Sequence, residues 1–213
     1  MPETSALHPS DSGDSSTMEP VARKRPKPGE RRVQILQALA GMLEKPGGER
    51  ITTAALAAQL QVSEAALYRH FASKAQMFEA LIEFIEQSVF LLINQITQRE
   101  ESGQAARIVT MLLQFGEKNP GMARVMVGDA LVLENERLQQ RMNQFFDKVE
   151  AALKQCLRDS APSTHAGPPA ADPAVLASIL VSFAAGRLQR FSRSGFKRYP
   201  SERLEASLAT ILG

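Results

Sequence analysis

Apolar residues recur at helical spacing along nearly the whole chain, and nowhere do they alternate in the two-residue period of a strand. Ile35, Leu36, Leu39, Met42 and Leu43 form one stripe and predict a helix over about residues 29–43, ended by Pro46, Gly47 and Gly48. Two short helical patterns follow between Ile51 and Lys74. From Ser73 to Ser102 there is neither proline nor glycine, so one long helix to about Arg99 is predicted, roughly 40 Å at 1.5 Å per residue. Ser73 and Gln76 have the spacing of a capping box. The early part of this helix is amphipathic. Its later part is apolar around most of its circumference, which requires burial on several sides or a partner surface.

Further helices are predicted over about 104–115, broken by Gly116 and Asn119-Pro120-Gly121, then over 122–127 and 135–158. The last of these turns Leu138, Met142, Phe145, Phe146, Val149, Ala152, Leu153 and Cys156 inward. Asp172 and Pro173 supply an N-cap and a first-turn proline for another helix, with Leu176, Ile179, Leu180, Phe183, Ala184, Leu188 and Phe191 as its stripe. A final helix over about 201–212 follows Pro200. No internal repeat is present. The fold class is all-α, with a polar extension over 1–28, a three-helix unit over 29–72 and a helical body over 73–213. The extension has too few large apolar residues to offset its ordering entropy and is expected to be disordered.

The segment ITTAALAAQLQVSEAALYRHFASK reads as a helix-turn-helix. Thr52 or Thr53 caps its first helix, Gln61 and Val62 make the turn, and Ser63 caps the second. Val62 and Leu67 sit where a hydrophobic staple closes that cap. Ala66, Leu67 and Phe71 fall on one side of the second helix, and Ala65, Tyr68 and Arg69 on the other. Small residues let a backbone approach base edges, while Tyr68, Thr52 and Thr53 can donate to phosphates and Lys74 can add charge. On spacing alone, caps and packing account for the same residues equally well.

The net charge of +2 excludes nothing, but its distribution is informative. The first 21 residues hold four acids and no Lys or Arg; Arg23, Lys24, Arg25, Lys27, Arg31 and Arg32 follow. A basic arm beside a DNA-reading motif is an electrostatic footprint, although solubilising tails have the same look. Met18, just before the arm, is a second candidate start. The single cysteine, Cys156, excludes an internal disulfide framework and points to a reducing compartment. The start has no signal-peptide core and no apolar run reaches the length of a membrane span, so a cytoplasmic protein is expected. His8, His70 and His165 stand far apart, and no Cys or His pair has zinc-ligand spacing. Neither a nucleophile elbow nor a dinucleotide fingerprint occurs, so neither enzyme, metal nor cofactor is expected.

The run LYRHF, then SK, then a long helix with MF near its start, resembles the DNA-binding domains of the TetR-type family, with Tyr68, His70, Phe71 and Lys74 carrying the match. Within that family the segments ITTAALA, VSEAALYRHF, MFEALIEFIE, FGEKNPG, ENERLQQRMNQFF and FSRSGFKRYP are similar to the SlmA nucleoid occlusion branch, from about Arg32 to Pro200. The resemblance implies a homodimer on pseudo-palindromic double-stranded DNA. When DNA-bound, it engages FtsZ, the tubulin-like division protein, and opposes Z-ring assembly over the nucleoid. It implies DNA contact by Thr52, Thr53, Ser63, Ala65, Tyr68, His70 and Lys74, of which His70 lies nearest the core edge. Glu64 serves only the helix dipole on this reading.

The FtsZ surface implied by the resemblance includes Phe84, Met111, Lys118 and Asn119. Lys118 and Leu92 stand where the family leads one to expect arginine, and Gln114 replaces a glycine. From periodicity alone Phe84 and Met111 read as core and Asn119-Pro120-Gly121 as a turn. Dimerisation is expected through the helices over 173–194 and 201–212. The competing reading is a TetR-type repressor that responds to a small ligand held by apolar residues between Phe84 and Val127.

Overall fold

The computed structural model describes residues 29–45, 51–99, 102–132, 134–160 and 171–213; the basic residues Arg23 to Lys27 and the extension expected to be disordered lie outside them. The described residues form helices α1 (Glu30–Leu43), α2 (Thr53–Gln59), α3 (Glu64–Tyr68), α4 (Lys74–Thr97), α5 (Gln104–Lys118), α6 (Pro120–Met126), α7 (Glu136–Asp159), α8 (Pro173–Arg193) and α9 (Leu204–Leu212). A single 3-10 turn, Asp129–Leu131, precedes α7, and there is no strand among the described residues.

Helices α1 to α3 make a small head. Ile35 and Leu39 of α1, Leu56 of α2, and Leu67 and Phe71 at the end of α3 are each at most 1 % exposed. These residues belong to the same continuous core as the body, which runs on through α4, α5, α7 and α8 to Leu208. Helix α4 joins the two, burying Met77, Phe78, Leu81, Ile82, Ile85, Val89 and Ile93 along one side. Its apolar circumference is not wholly covered: Phe84 is 45 % and Leu91 60 % exposed. The core reading of Phe84 is thereby corrected, because Leu81, Ile82 and Ile85 already fill the inward face. Glu86 of α4 ties down α7 by accepting from Arg141 at 2.8 Å, with Lys148 3.7 Å away.

Two glycines set how closely the helices approach. Gly116 does not break α5, as its sequence context predicts; it sits inside that helix under α8. A Cβ there would lie 2.4 Å from Leu188 Cδ2, so glycine is what lets the two helices meet. Gly121, in the first turn of α6, is pressed on α1: a Cβ would lie 2.0 Å from the carbonyl oxygen of Ala40. Body and head therefore touch backbone to backbone at α1 and α6.

Helix α8 packs on α5, α6 and α7. Contrary to the expectation from sequence, it is long and apolar enough to cross a membrane, with 21 residues and a mean hydropathy of 1.3. Core helices pass the same test, and Leu180, Ala184 and Leu188 are wholly buried in the body. Ile179, predicted to face inward, is 44 % exposed, and Val175 54 %. With the exposed Ser182 and Arg193 and the half-buried Gly186 and Gln189 they make one stripe at heptad spacing that the body leaves partly open.

Candidate nucleic-acid interface

Local chemistry builds the head's two short helices. Thr52 caps α2, its Oγ1 accepting from Ala55 N at 3.1 Å, and Ser63 caps α3 by accepting from Ala66 N at 3.2 Å. Between them Gln61 adopts a left-handed φ of 54°. Gln61 N donates to Ala58 O and Val62 N to Ala57 O, both at 3.0 Å, which is a Schellman turn made without glycine. The turn aims α3 outward. Ala65, Tyr68 and Arg69 are exposed on it, Tyr68 by 46 %, while Leu67 is buried.

A cap uses the hydroxyl oxygen as acceptor and leaves the O–H proton free to donate. Thr52 and Ser63, both exposed, can therefore cap and still donate to a phosphate. Thr53 differs, because its Oγ1 already donates to Glu64 Oε2 at 2.6 Å. Glu64 is thus more than a dipole complement: it clamps the start of α3 to the start of α2. It stands first in α3, where a groove-entering helix meets base edges, and its remaining lone pairs can accept from a cytosine amino group.

His70 is half-buried, and its carbonyl oxygen accepts from Arg32 Nη1. The Arg32 guanidinium also lies 4.1 Å from the Phe71 ring centroid. Arg32, assigned by sequence to the basic arm, therefore anchors α1 to the end of α3. Lys74 is half-buried and already engaged. Its Nζ pairs with Glu134, in the connection before α7, and lies 5.7 Å from the Phe78 ring centroid. Gln76 does reach back across the start of α4, but to Ala72 N at 2.8 Å rather than to the cap residue.

The other predicted positions gather around α5. Met111 and the exposed Gln114 line an open groove of about 620 Å3 with Ile96 of α4 and Leu208 and Leu212 of α9. Lys118, two turns beyond Met111 on the same side of α5, is exposed. Asn119 is half-buried, its Nδ2 donating to Phe115 O at 2.8 Å. In the α4–α5 hairpin Phe84 stands 13 residues before the last residue of α4, and Lys118 stands 14 after the first of α5. Both are therefore about 20 Å from the hairpin turn, and Phe84 matches Lys118 in height along it.

The non-local partners, Arg32 with His70, Lys74 with Glu134 and Thr53 with Glu64, are 38, 60 and 11 residues apart, beyond the reach of periodicity. The one usable signal was at Glu64, an acid placed first in a helix that had to face outward.

Residues 35–81 match the family of bacterial regulatory proteins of the tetR type, and residues 101–212 match the SlmA-like form of the tetracyclin repressor-like C-terminal domain. The chain is 51 % identical over 178 residues to the nucleoid occlusion factor SlmA of Idiomarina loihiensis, covering 83 % of this chain and 90 % of that one. Identity to SlmA of Marinomonas sp. is 54 %, with coverage of 83 % and 90 %. For SlmA of Escherichia coli it is 49 %, with 87 % and 95 %. Among solved structures, the TetR-family regulator PfmR of Thermus thermophilus aligns with a TM-score of 0.65 at 19 % identity, over 85 % of this chain and 95 % of that one. FadR of Bacillus subtilis, solved with stearoyl-CoA, aligns with a TM-score of 0.65 at 14 % identity, over 85 % and 97 %. At such identities the likeness is one of fold.

Proposed function

The chain belongs to the SlmA family of TetR-type DNA-binding proteins, which are not enzymes, and from that premise we propose that it is a nucleoid occlusion factor controlled by DNA. A homodimer sets two copies of α3 into successive major grooves of a pseudo-palindromic site. Thr52, Ser63 and Tyr68 hold the flanking phosphates, and Ala65 and Glu64 face the bases. The dimer forms along the stripe Val175, Ile179, Ser182, Gly186, Gln189 and Arg193 of α8, which α7 supports from behind, as half of a four-helix bundle. Helix α9 is short and flanks the α5 groove, so α8 is assigned more of this interface than α9.

The bound dimer engages FtsZ through Phe84, the α5 groove and Lys118, and so opposes Z-ring assembly beside the nucleoid. The observation that carries this reading is the contact of α6 with α1. The corner holding Lys118 and Asn119 leads directly into the helix whose first turn rests on the Ala40 carbonyl, so a head set by DNA bears on that corner. Any such switch requires different FtsZ affinity in the two head positions. The repressor reading would have to seat its ligand in the open α5 groove, because Ile85, Val89, Ile93, Ile108 and Leu112 are packed inside the core, none more than 3 % exposed.

The test is sedimentation of FtsZ polymers with the protein, with and without a duplex recovered by genome-wide mapping of its binding sites. Loss of polymer only with that duplex is expected. An equal effect without DNA, or none with it, overturns the proposal.

A further inference from the structure

The connection from α8 to α9 is a rigid, strongly cationic platform for which the head and the FtsZ surface have no use. Between Arg187 and Arg203 six cations face a single acid, Glu202. Arg187 is engaged, donating to the Glu202 carbonyl at 2.7 Å and to Ser207 Oγ at 3.0 Å. Arg190, Arg193, Lys197, Arg198 and Arg203 are exposed, and among the described residues none has a carboxylate within 4.0 Å. Arg190 and Arg193 complement the C-terminal dipole of α8; the other three lie beyond the turn where that field acts.

The backbone beneath them is held in place. Gly195 and Phe196 both have left-handed φ, 63° and 64°, and Arg203 has 52°. Two of the three non-glycine residues with positive φ among the described residues are thus in this one connection, and at a bulky aromatic the conformation is costly. Gly195 N donates to Ser192 O and Phe196 N to Phe191 O, closing a Schellman turn on α8. Phe196 is clamped between Phe191, with ring centroids 5.1 Å apart, and the Arg124 guanidinium at 4.9 Å. Ser194 Oγ accepts from Lys197 N at 3.1 Å and Arg198 N at 2.9 Å, which fixes the backbone that carries both cations. Strain of this kind persists only where surrounding contacts over-determine it, and it clusters at functional surfaces.

We propose that this platform grips the phosphate backbone of a second DNA duplex, one that the helix-turn-helix does not read, so that a DNA-bound dimer bridges two segments. Guanidinium forks match phosphate oxygens, and of the four free cations outside the α8 dimer stripe, Arg190, Lys197, Arg198 and Arg203, three are arginines. The platform offers a bilayer a single exposed ring: Phe196 is clamped, and Tyr199, 58 % exposed, is stacked on Phe191 with centroids 6.3 Å apart. Arg124 also donates to the carbonyls of Leu43 and Lys45, which places the platform at the C-terminal end of α1. The Arg32 anchor to α3 lies near the other end of that helix, roughly 20 Å away. The platform and α3 thus lie at opposite ends of α1, which favours a separate duplex as the platform's ligand. A dimer already seated on the chromosome is surrounded by other duplex at high effective concentration.

The inference rests on DNA binding by the heads, and the experiment separates the two. Full-length protein is held on beads by an affinity tag and saturated with a dye-labelled duplex from the binding-site mapping. A second 30-base-pair duplex without that site, carrying another dye, is then offered across a salt series. The first dye reports the heads and the second the platform. Capture of the second duplex is expected, falling with salt at a log–log slope of about −3 to −4 for four contacts. Combining Arg190→Gln, Lys197→Gln, Arg198→Gln and Arg203→Gln, which leaves Arg193 of the dimer stripe intact, should lower that capture at least tenfold and leave first-duplex retention and thermal melting unchanged. Equal capture by the variant, no capture by the parent, or uptake of phosphatidylglycerol vesicles or polyglutamate in place of DNA overturns the inference.

Discussion

Arg124 Nη1 donates to the carbonyl oxygen of Leu43 across 2.9 Å, so a residue of α6 closes the last turn of α1. The same guanidinium stacks on Phe196, which makes it the meeting point of head, body and the α8–α9 connection. Arg124→Ala should cost about 1–3 kcal/mol, the range for hydrogen bonds from a charged donor. Thermal melting measures the loss. Arg124→Lys, which keeps the charge without the flat fork, should restore only part of it.

Gly121→Ala inserts a methyl where only the Ala40 carbonyl now sits. The backbone must shift, and overpacking of this sort costs roughly 1–3 kcal/mol. On the proposed mechanism the variant also loosens the tie between DNA and FtsZ. Duplex affinity should hold within a few-fold, while FtsZ polymer loss becomes less dependent on added duplex. A variant that melts earlier and keeps full DNA dependence shows that the joint is only structural.

Glu134 is the ion-pair partner of Lys74 and competes with a phosphate for its ammonium. Glu134→Gln should release the ammonium and steepen the log–log salt dependence of duplex binding by about one unit per added phosphate contact. Fluorescence anisotropy across a salt series reads the slope. An unchanged slope identifies Lys74 as a strut between α4 and the connection before α7.

Phe84→Ala removes an exposed ring and should change stability by no more than about 0.5 kcal/mol. If it anchors FtsZ, pull-down affinity should fall roughly tenfold or more, as at an interface hot spot. Gln114→Glu, which places a charge in the α5 groove, should act in the same direction with DNA affinity intact. Normal FtsZ capture by both variants moves the partner surface elsewhere.

Burial, with help from Asp159, raises the Cys156 thiol above its ordinary range. It stays a neutral thiol at physiological pH, and the stability tied to the protonated form is lost only as pH climbs past the unfolded value and through the raised folded one. Native protein at pH 8 should react with a thiol reagent far more slowly than unfolded protein. Equal rates would place the thiol at the surface.

The helices were legible because their stripes and caps are local: Ser63, Ser73 and Asp172 cap the helices they precede. Asn135 caps α7 in the same way. Gly116 misled because a helix breaker and a close-packing site look alike until Leu188, 72 positions later, is brought over it. Ile179 misled because a broad apolar band does not say which edge the rest of the body leaves uncovered. Lys74 has the right charge in the right place, and only Glu134 reveals where that charge is spent. The helix-turn-helix pattern nominated Thr52, Thr53, Ala65, Tyr68 and Lys74, the family resemblance added the rest, and the geometry then divided them into exposed ones such as Tyr68 and engaged ones such as Thr53.

Because one core runs from Ile35 to Leu208, the protein should unfold as a single cooperative unit, with slow amide exchange in α1 matching that of α5. A head cut away near residue 72 would leave bare the side of α1 that Gly121 and Arg124 cover. Chimeras that graft a foreign TetR-type head onto this body would inherit a mismatched joint. New DNA specificity is better installed by changing outward positions of α3, such as Glu64 and Ala65, than by exchanging heads.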